Sequence, residues 1–241
     1  MTVLEKSAEI VLKASVIGGA KELGFFTVNT NRRKYLNKYS RAERRIADEK
    51  NDEWQSRRSM AEYGRKLLEL GLVQGTWGNI SVRLSANYML VTPSGLDYKM
   101  IDGSDMVKVA IKTLTCGDGN VPTTEKGLHA GIYESRSDIG AIIHTHSRYC
   151  SIFAAARKPL QVLDEELAKI TGELIYISDY AYAGSRKLTK NVVKALGDRS
   201  GCIISNHGMI ACGKDLKEAL DICLAMEKAA EQYIEARIDR K

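Results

Sequence analysis

Two histidines one residue apart, His144 and His146, close the apolar run Gly140-Ala141-Ile142-Ile143. On a helix, positions i and i+2 point about 200° apart and cannot share a ligand, whereas on a strand alternate side chains share a face. The β-branched residues before His144 favour the strand, so both imidazoles are expected on one side of it. Two neutral imidazoles so placed are half of a metal site, and imidazole suits zinc, iron, nickel or copper. Taken alone, His-x-His reads equally well as a polar pair on a strand. A second strand-like run, Gly201-Cys202-Ile203-Ile204-Ser205, also ends in histidine, at Asn206-His207-Gly208. Two strands that finish this way place three imidazoles around one point. Glu125, in Pro122-Thr123-Thr124-Glu125, is a candidate fourth ligand or base. The remaining histidine of the four, His129, follows Glu125 by one helical turn on the same face. It reads as a packing or supporting residue rather than a ligand.

A chain of 241 residues, 44% hydrophobic and 27% charged, is expected to bury a core as one domain in a soluble protein. No run approaches the roughly 20 apolar residues that span a bilayer, so no membrane partner is expected. The first residues lack the order of a signal peptide, because Glu5, Lys6, Glu9 and Lys13 interrupt them. Five cysteines without a CxxC pair read as reduced thiols, and a cytoplasmic location is expected. The net charge of +6 gathers at Arg32, Arg33, Lys34, Lys38, Arg41, Arg44 and Arg45, around Tyr35 and Tyr39. Acidic residues (Glu43, Asp48, Glu49, Asp52, Glu53) follow at once, and no nucleic-acid-binding motif is present. The run reads as a solvated, partly helical arm or a contact to a neighbouring subunit, not a nucleic-acid surface.

Periodicity predicts a helix over 4–23, the charged arm over 25–52, and a helix over 55–70 that Gly71 caps. Short strands are expected at 79–84, 88–92 and 106–111, then a helix that begins after Pro122 with Thr124 as its cap and runs through Tyr133. Strand 140–145, helix 148–157, strand 174–178, helix 186–196, strand 201–206 and helix 214–237 follow. Connections between several strands are too short for parallel crossovers, so the expected fold is α/β, helices covering a mainly antiparallel sheet. Residues 1–53 are read as an N-terminal helix and charged arm, and 54–241 as the catalytic domain.

Three turn segments carry small polar groups: Gly75-Thr76-Trp77-Gly78-Asn79, Thr92-Pro93-Ser94-Gly95, and Thr123-Thr124 at a helix N-terminus. Each alone is an ordinary turn. Together their hydroxyls and amides can cradle a small phosphate. No GxxxxGK[ST] sequence is present, which argues against a nucleoside triphosphate.

The chain resembles the class II aldolase and adducin-head family. The likeness spans roughly residues 55–235 and rests on Gly71-Leu72-x-x-Gly75-Thr76-x-Gly78-Asn79-x-Ser81, Thr92-Pro93-Ser94-Gly95, Pro122-Thr123-Thr124-Glu125-x-x-x-His129, His144-x-His146 and Asn206-His207-Gly208. The resemblance implies a single α/β/α layered domain and a ring-like homotetramer with active sites between subunits. By position, His144, His146 and His207 match the family's zinc ligands. Glu125 matches a glutamate that completes the coordination at rest and moves a proton when substrate is bound. Thr76, Gly78, Asn79, Ser94, Gly95, Thr123 and Thr124 match its contacts to phosphate and carbonyl.

Glu125 favours an aldolase, because the family's epimerases carry aspartate there. Tyr180-Ala181-Tyr182-Ala183-Gly184-Ser185 is aldolase-like as well, whereas Thr76-Trp77-Gly78-Asn79 and His144-Thr145-His146-Ser147-Arg148 look epimerase-like. Where the aldolases place a tyrosine, this chain has Asp164, Glu165 and Glu166. The expectation is a zinc-dependent lyase, similar to L-fuculose-1-phosphate aldolase, that splits a phosphorylated ketose reversibly into dihydroxyacetone phosphate and an aldehyde. The alternatives are a 4-epimerase or dehydratase on the same metal, or an adducin-like assembly module without catalysis.

Overall fold

A computed structural model of the protein describes residues 41–117 and 119–238. The helix expected over 4–23, and the arm up to residue 40, lie outside the described residues. Helix α1 (Arg41–Glu69) starts well before the expected residue 55. Between Arg41 and Tyr63 the chain has neither glycine nor proline, and pairs such as Arg45–Glu49 (3.2 Å, i,i+4) favour continuing the helix. Gly71, at φ +69°, ends it as foreseen, with the Leu72 amide reaching back to the Leu67 carbonyl (2.9 Å).

From Ser56 onward the chain forms one compact unit. Its strands are β1 (Asn79–Arg83), β2 (Tyr88–Val91), β3 (Val107–Ala110), β4 (Ala141–Thr145), β5 (Leu160–Gln161), β6 (Leu174–Ile175), β7 (Ile177–Ser178), β8 (Gly201–Ile204) and β9 (Gly208–Gly213). Its further helices are α2 (Lys126–Ser135), α3 (Arg148–Ala156), α4 (Glu165–Thr171), α5 (Arg186–Leu196) and α6 (Leu216–Ile238). Seven strands form one sheet in the order β3-β2-β1-β4-β9-β8-β7, antiparallel except for β7 beside β8, as the sequence predicts.

Strand alternation divides the apolar residues between two faces. Ile80, Ile143, Ile203, Met209 and Ala211 pack under α1, α3 and α6, with Met60, Leu67, Phe153, Leu220 and Met226. Met89, Ile142, Cys202, Ile204 and Ile210 face α2 and α5, with Leu128, Ile132, Tyr133, Leu188 and Val192. The result is the expected α/β/α sandwich.

Three elements depart from the expectation. Residues 174–178 make two short strands: β6 pairs with β5 in a separate two-stranded sheet, and β7 joins the main one. β9 was not foreseen, because all its residues are buried and its sequence shows no alternation. Helix α4 was also missed; at seven residues it is too short for a periodicity signal.

One tie crosses the helical layer. Glu227 on α6 accepts hydrogen bonds from the Ser147 hydroxyl (2.7 Å) and from the amides of Tyr149 (2.6 Å) and Cys150 (2.9 Å). It satisfies the open amides at the start of α3, where Ser147 makes no side-chain cap. Glu227→Ala is expected to destabilise the protein by about 1–3 kcal/mol, read as a lower urea midpoint with an unchanged slope. Wild-type stability in that variant would show the tie to be dispensable.

Candidate active site

The middle of the sheet assembles the site. On β4, His144 stands opposite Asn79 of β1 and Ile210 of β9, at the strand end that leads to His146. The turn between β8 and β9 brings His207 to the same edge. Asn206 takes φ +55° there, a left-handed conformation that asparagine tolerates, and its amide bonds the Ala154 carbonyl (2.9 Å). Gly208 follows, and a Cβ on it would lie 2.3 Å from the Thr145 carbonyl oxygen and 2.9 Å from His146 Cδ2. Only glycine leaves that ring its place.

The three imidazoles form a near-equilateral group, with centroids 4.8–4.9 Å apart and planes inclined 70–80°. One ring nitrogen from each lies within 4.8 Å of the others. His144 Nδ1 is 2.8 Å from the Met209 carbonyl oxygen, which can only accept, so Nδ1 carries the proton and Nε2 a lone pair in the neutral ring. That lone pair faces His146 Nε2 at 3.0 Å and Glu125 Oε2 at 3.1 Å. Glu125 Oε1 lies 3.5 Å from His207 Nε2, is buried, and has no hydrogen-bond partner. Electron-rich atoms this close repel one another unless a positive charge stands among them. Three imidazoles and a carboxylate suit a zinc-type divalent ion, so the residues fit the metal expected of them.

The electrostatics agree. Burial alone would raise the carboxyl pKa of Glu125, but His144, His207 and the Asn79 amide hold it well below the usual range. Burial opposes a charge on His144, yet Glu125 and the Met209 carbonyl push its pKa up. Burial, then the neighbouring His144, lower His207 and bring His146 down to about 4. Both shifts favour the neutral imidazole, the form able to offer a lone pair to a metal.

Glu125, rather than Thr124, occupies the N-cap position of α2, and it makes no cap hydrogen bond. Its carboxylate is turned toward the imidazoles, with Oε2 accepting from Asn79 Nδ2 (2.9 Å). The turn segments also converge. The Thr92 hydroxyl accepts from the Ile80 amide (3.2 Å), the Ser94 amide donates to Val121 (2.8 Å), and the Thr123 amide donates to Thr92 (3.0 Å). Ser94, Gly95, Thr123 and Thr124 therefore border one another, with Thr123 buried and the other three exposed. Gly78, at φ +85°, passes so close to the His144 carbonyl that a Cβ would sit 2.7 Å from it. Thr76 is exposed in the same turn, beside Trp77, whose ring lies 5.9 Å from His146.

Asp164 instead caps α4, accepting from the amides of Glu166 (2.9 Å) and Leu167 (3.0 Å), while Glu166 pairs with Lys169. His129 bonds Asn79 and Ser81 rather than any of the three imidazoles. Ser81 and Tyr133 hydrogen-bond each other behind the site; in the sequence Ser81 stands out only as part of a motif and Tyr133 only as the end of a helix, because a lone interior hydroxyl gives no signal of its partner.

Residues 58–234 match the family described as Class II Aldolase and Adducin N-terminal domain. The chain belongs to this family. It is 33% identical to the 5-methylthioribulose-1-phosphate/5-deoxyribulose-1-phosphate aldolase of Rhodospirillum rubrum, over 73% of this chain and 79% of that protein. It is 32% identical to the L-fuculose phosphate aldolase of Escherichia coli K12, over 70% of this chain and 78% of that protein. A solved structure titled L-fuculose 1-phosphate aldolase superposes with a TM-score of 0.73 at 33% identity, covering 78% of this chain and 88% of that one. The relatives are thus named as carbon–carbon lyases.

Gly208→Ala must displace either the Thr145 carbonyl or the His146 ring. It is expected to weaken zinc binding by about 10- to 100-fold, measured by competition with a chromophoric chelator. Unaltered affinity would mean that the ring position tolerates the added methyl.

Proposed function

We propose that this protein is a zinc-dependent aldolase that cleaves a ketose 1-phosphate reversibly into dihydroxyacetone phosphate and an aldehyde. One observation carries the reading: a buried, ionised glutamate with one unpartnered oxygen is set against three imidazoles that fit a divalent ion. His144, His146 and His207 would hold the ion, with Glu125 as an additional ligand before substrate arrives. When bound, the ion supplies Lewis-acid polarisation of the ketose oxygens, worth several kcal/mol of charge stabilisation.

The protein's own groups do the rest. Glu125 Oε1 is the atom that removes a proton from the carbon between ketone and new bond in synthesis, and returns it in cleavage. No lysine Schiff base is needed. Thr76, Gly78, Asn79, Ser94, Gly95, Thr123 and Thr124 are proposed to bind the phosphate and carbonyl; the closeness of their segments, joined by bonds such as Thr123 to Thr92, supports this. Trp77 adds an exposed apolar wall beside His146. It favours, as a second reading, a substrate whose far end is apolar, like the methylthio- and deoxyribulose phosphates in the name of the Rhodospirillum relative.

We also propose that residues 54–241 are the catalytic domain, that 1–53 are an appended arm, and that the protein works as a cytoplasmic homotetramer. Five free thiols are consistent with a reducing compartment, and no helix among the described residues is long and apolar enough to cross a membrane.

The test is a panel of fuculose, rhamnulose, ribulose, 5-deoxyribulose and methylthioribulose 1-phosphates, with released dihydroxyacetone phosphate coupled to a dehydrogenase, with and without chelator. Release that chelator abolishes is expected with at least one ketose. None from any of them, in zinc-loaded protein, would overturn the aldolase reading. Glu125→Gln is expected to keep its metal and lose about 10²- to 10⁴-fold in turnover; near-normal turnover would remove Glu125 from proton transfer.

A further inference from the structure

Behind Glu125 the α2–β1 contact holds a row of polar groups within an otherwise apolar layer. Glu125, His129 and Tyr133 recur every four residues at one face of α2, and Asn79 and Ser81 every two residues on β1. A four-residue helical step rises about 6.0 Å and a two-residue strand step about 6.6–6.8 Å, so the two sets interdigitate. The contacts alternate between helix and strand. Glu125 Oε2 meets Asn79 Nδ2 at 2.9 Å, and Asn79 Oδ1 meets His129 Nε2 at 2.5 Å. His129 Nδ1 meets Ser81 Oγ at 2.6 Å, and Ser81 Oγ meets the Tyr133 hydroxyl at 2.9 Å.

The carboxylate at one end sets the direction of every bond. It can only accept, so the Asn79 NH₂ donates and the Asn79 carbonyl must accept from His129 Nε2–H. Tyr133 has Ser81 as its hydroxyl's partner and donates to Ser81 Oγ, and His129 is wholly buried, where the neutral ring is favoured. Its Nδ1 therefore accepts from the Ser81 hydroxyl, which in turn accepts from the Tyr133 O–H. From Asn79 to Tyr133 each side chain has a partner in the row, as buried polar groups require. The far end is closed: Tyr133 is 2% exposed, with the Arg83 guanidinium over its ring. A chain that ends in the interior exchanges no protons with solvent, so its role is to fix orientation.

We propose that His129 is a positioning residue for the reaction. Its Nε2–H pins the Asn79 amide so that NH₂, not the carbonyl, faces Glu125, which holds the carboxylate toward the imidazoles and leaves one Asn79 N–H for a substrate oxygen. Without that N–H the Asn79 carbonyl loses its partner, and the amide is held only at its NH₂ end. The kinetic part of the test rests on the aldolase reading; the structural part does not.

In zinc-loaded enzyme, His129→Leu is expected to lower kcat about 10- to 100-fold with zinc content unchanged. His129→Gln, whose carboxamide N–H can reach Asn79, is expected to recover most of that loss. In an Asn79→Ala background, His129→Leu should cost less than about twofold, because its target is gone. The same fold-loss in both backgrounds overturns the proposal and makes His129 a packing residue. Nitrogen-15 NMR of histidine-labelled, zinc-loaded wild type is expected to show His129 as the Nε2–H tautomer throughout the neutral range. An Nδ1–H tautomer or an imidazolium overturns the proposal even if the leucine variant does not fold. This measurement needs no substrate, so failure of every ketose in the panel would defeat the aldolase reading and leave the hydrogen-bond row to be judged by its tautomer.

Discussion

The protein's site depends on a crowd of nitrogen and oxygen atoms that a positive charge, a proton on His144 or a bound cation, can reconcile. His144 Nε2 faces both His146 Nε2 and Glu125 Oε2 at close range, and the Met209 carbonyl prevents the ring from moving its proton to Nε2 without charging. In the interior such repulsion is weakly screened, so the arrangement is favourable only with positive charge among these atoms. The surrounding structure exists to hold those atoms in place against it.

That support is distributed. The central strand β4 carries His144, and its two neighbours contribute Asn79 and the backbone against which His144 is locked. Gly208 makes room for His146, and Glu227 fixes the chain just after it by closing the start of α3. On the opposite side of the carboxylate, the α2–β1 polar row sets the Asn79 amide. His144, His146 and Asn79 are thus each held in place by a residue outside the proposed substrate contacts: Met209, Gly208 and His129. Rigid elements hold such groups more exactly than loops, and the imidazoles lie at strand ends for that reason.

The family relation and the geometry converge from independent directions. Matching residues 58–234 covers the sandwich from α1 to late α6, and the imidazole cluster lies at the ends of β4 and β8 in the main sheet. The polar turns differ from the metal site in kind. They are surface segments brought side by side by backbone hydrogen bonds such as Thr123 to Thr92 and Ser94 to Val121.

Sequence by itself determined the strand ends that carry His144, His146 and His207 and the amphipathic helices, which follow from local runs and periods of apolar residues, and the antiparallel character of the sheet, which follows from short connections. It also placed Glu125 and His129 one turn apart. It did not reveal β9, whose complete burial erases alternation, nor the division of 174–178 between two sheets, which pairing partners decide. The roles of Ser81, Tyr133 and Glu227 were equally hidden, since a hydroxyl or carboxylate shows its partner only once distant segments meet. What tertiary structure alone decided is direction: which nitrogen of His144 and of His129 carries the proton, and which end of the Asn79 amide faces Glu125. Those choices are set by donor and acceptor pairs dozens of residues apart in the chain, where no local pattern reaches.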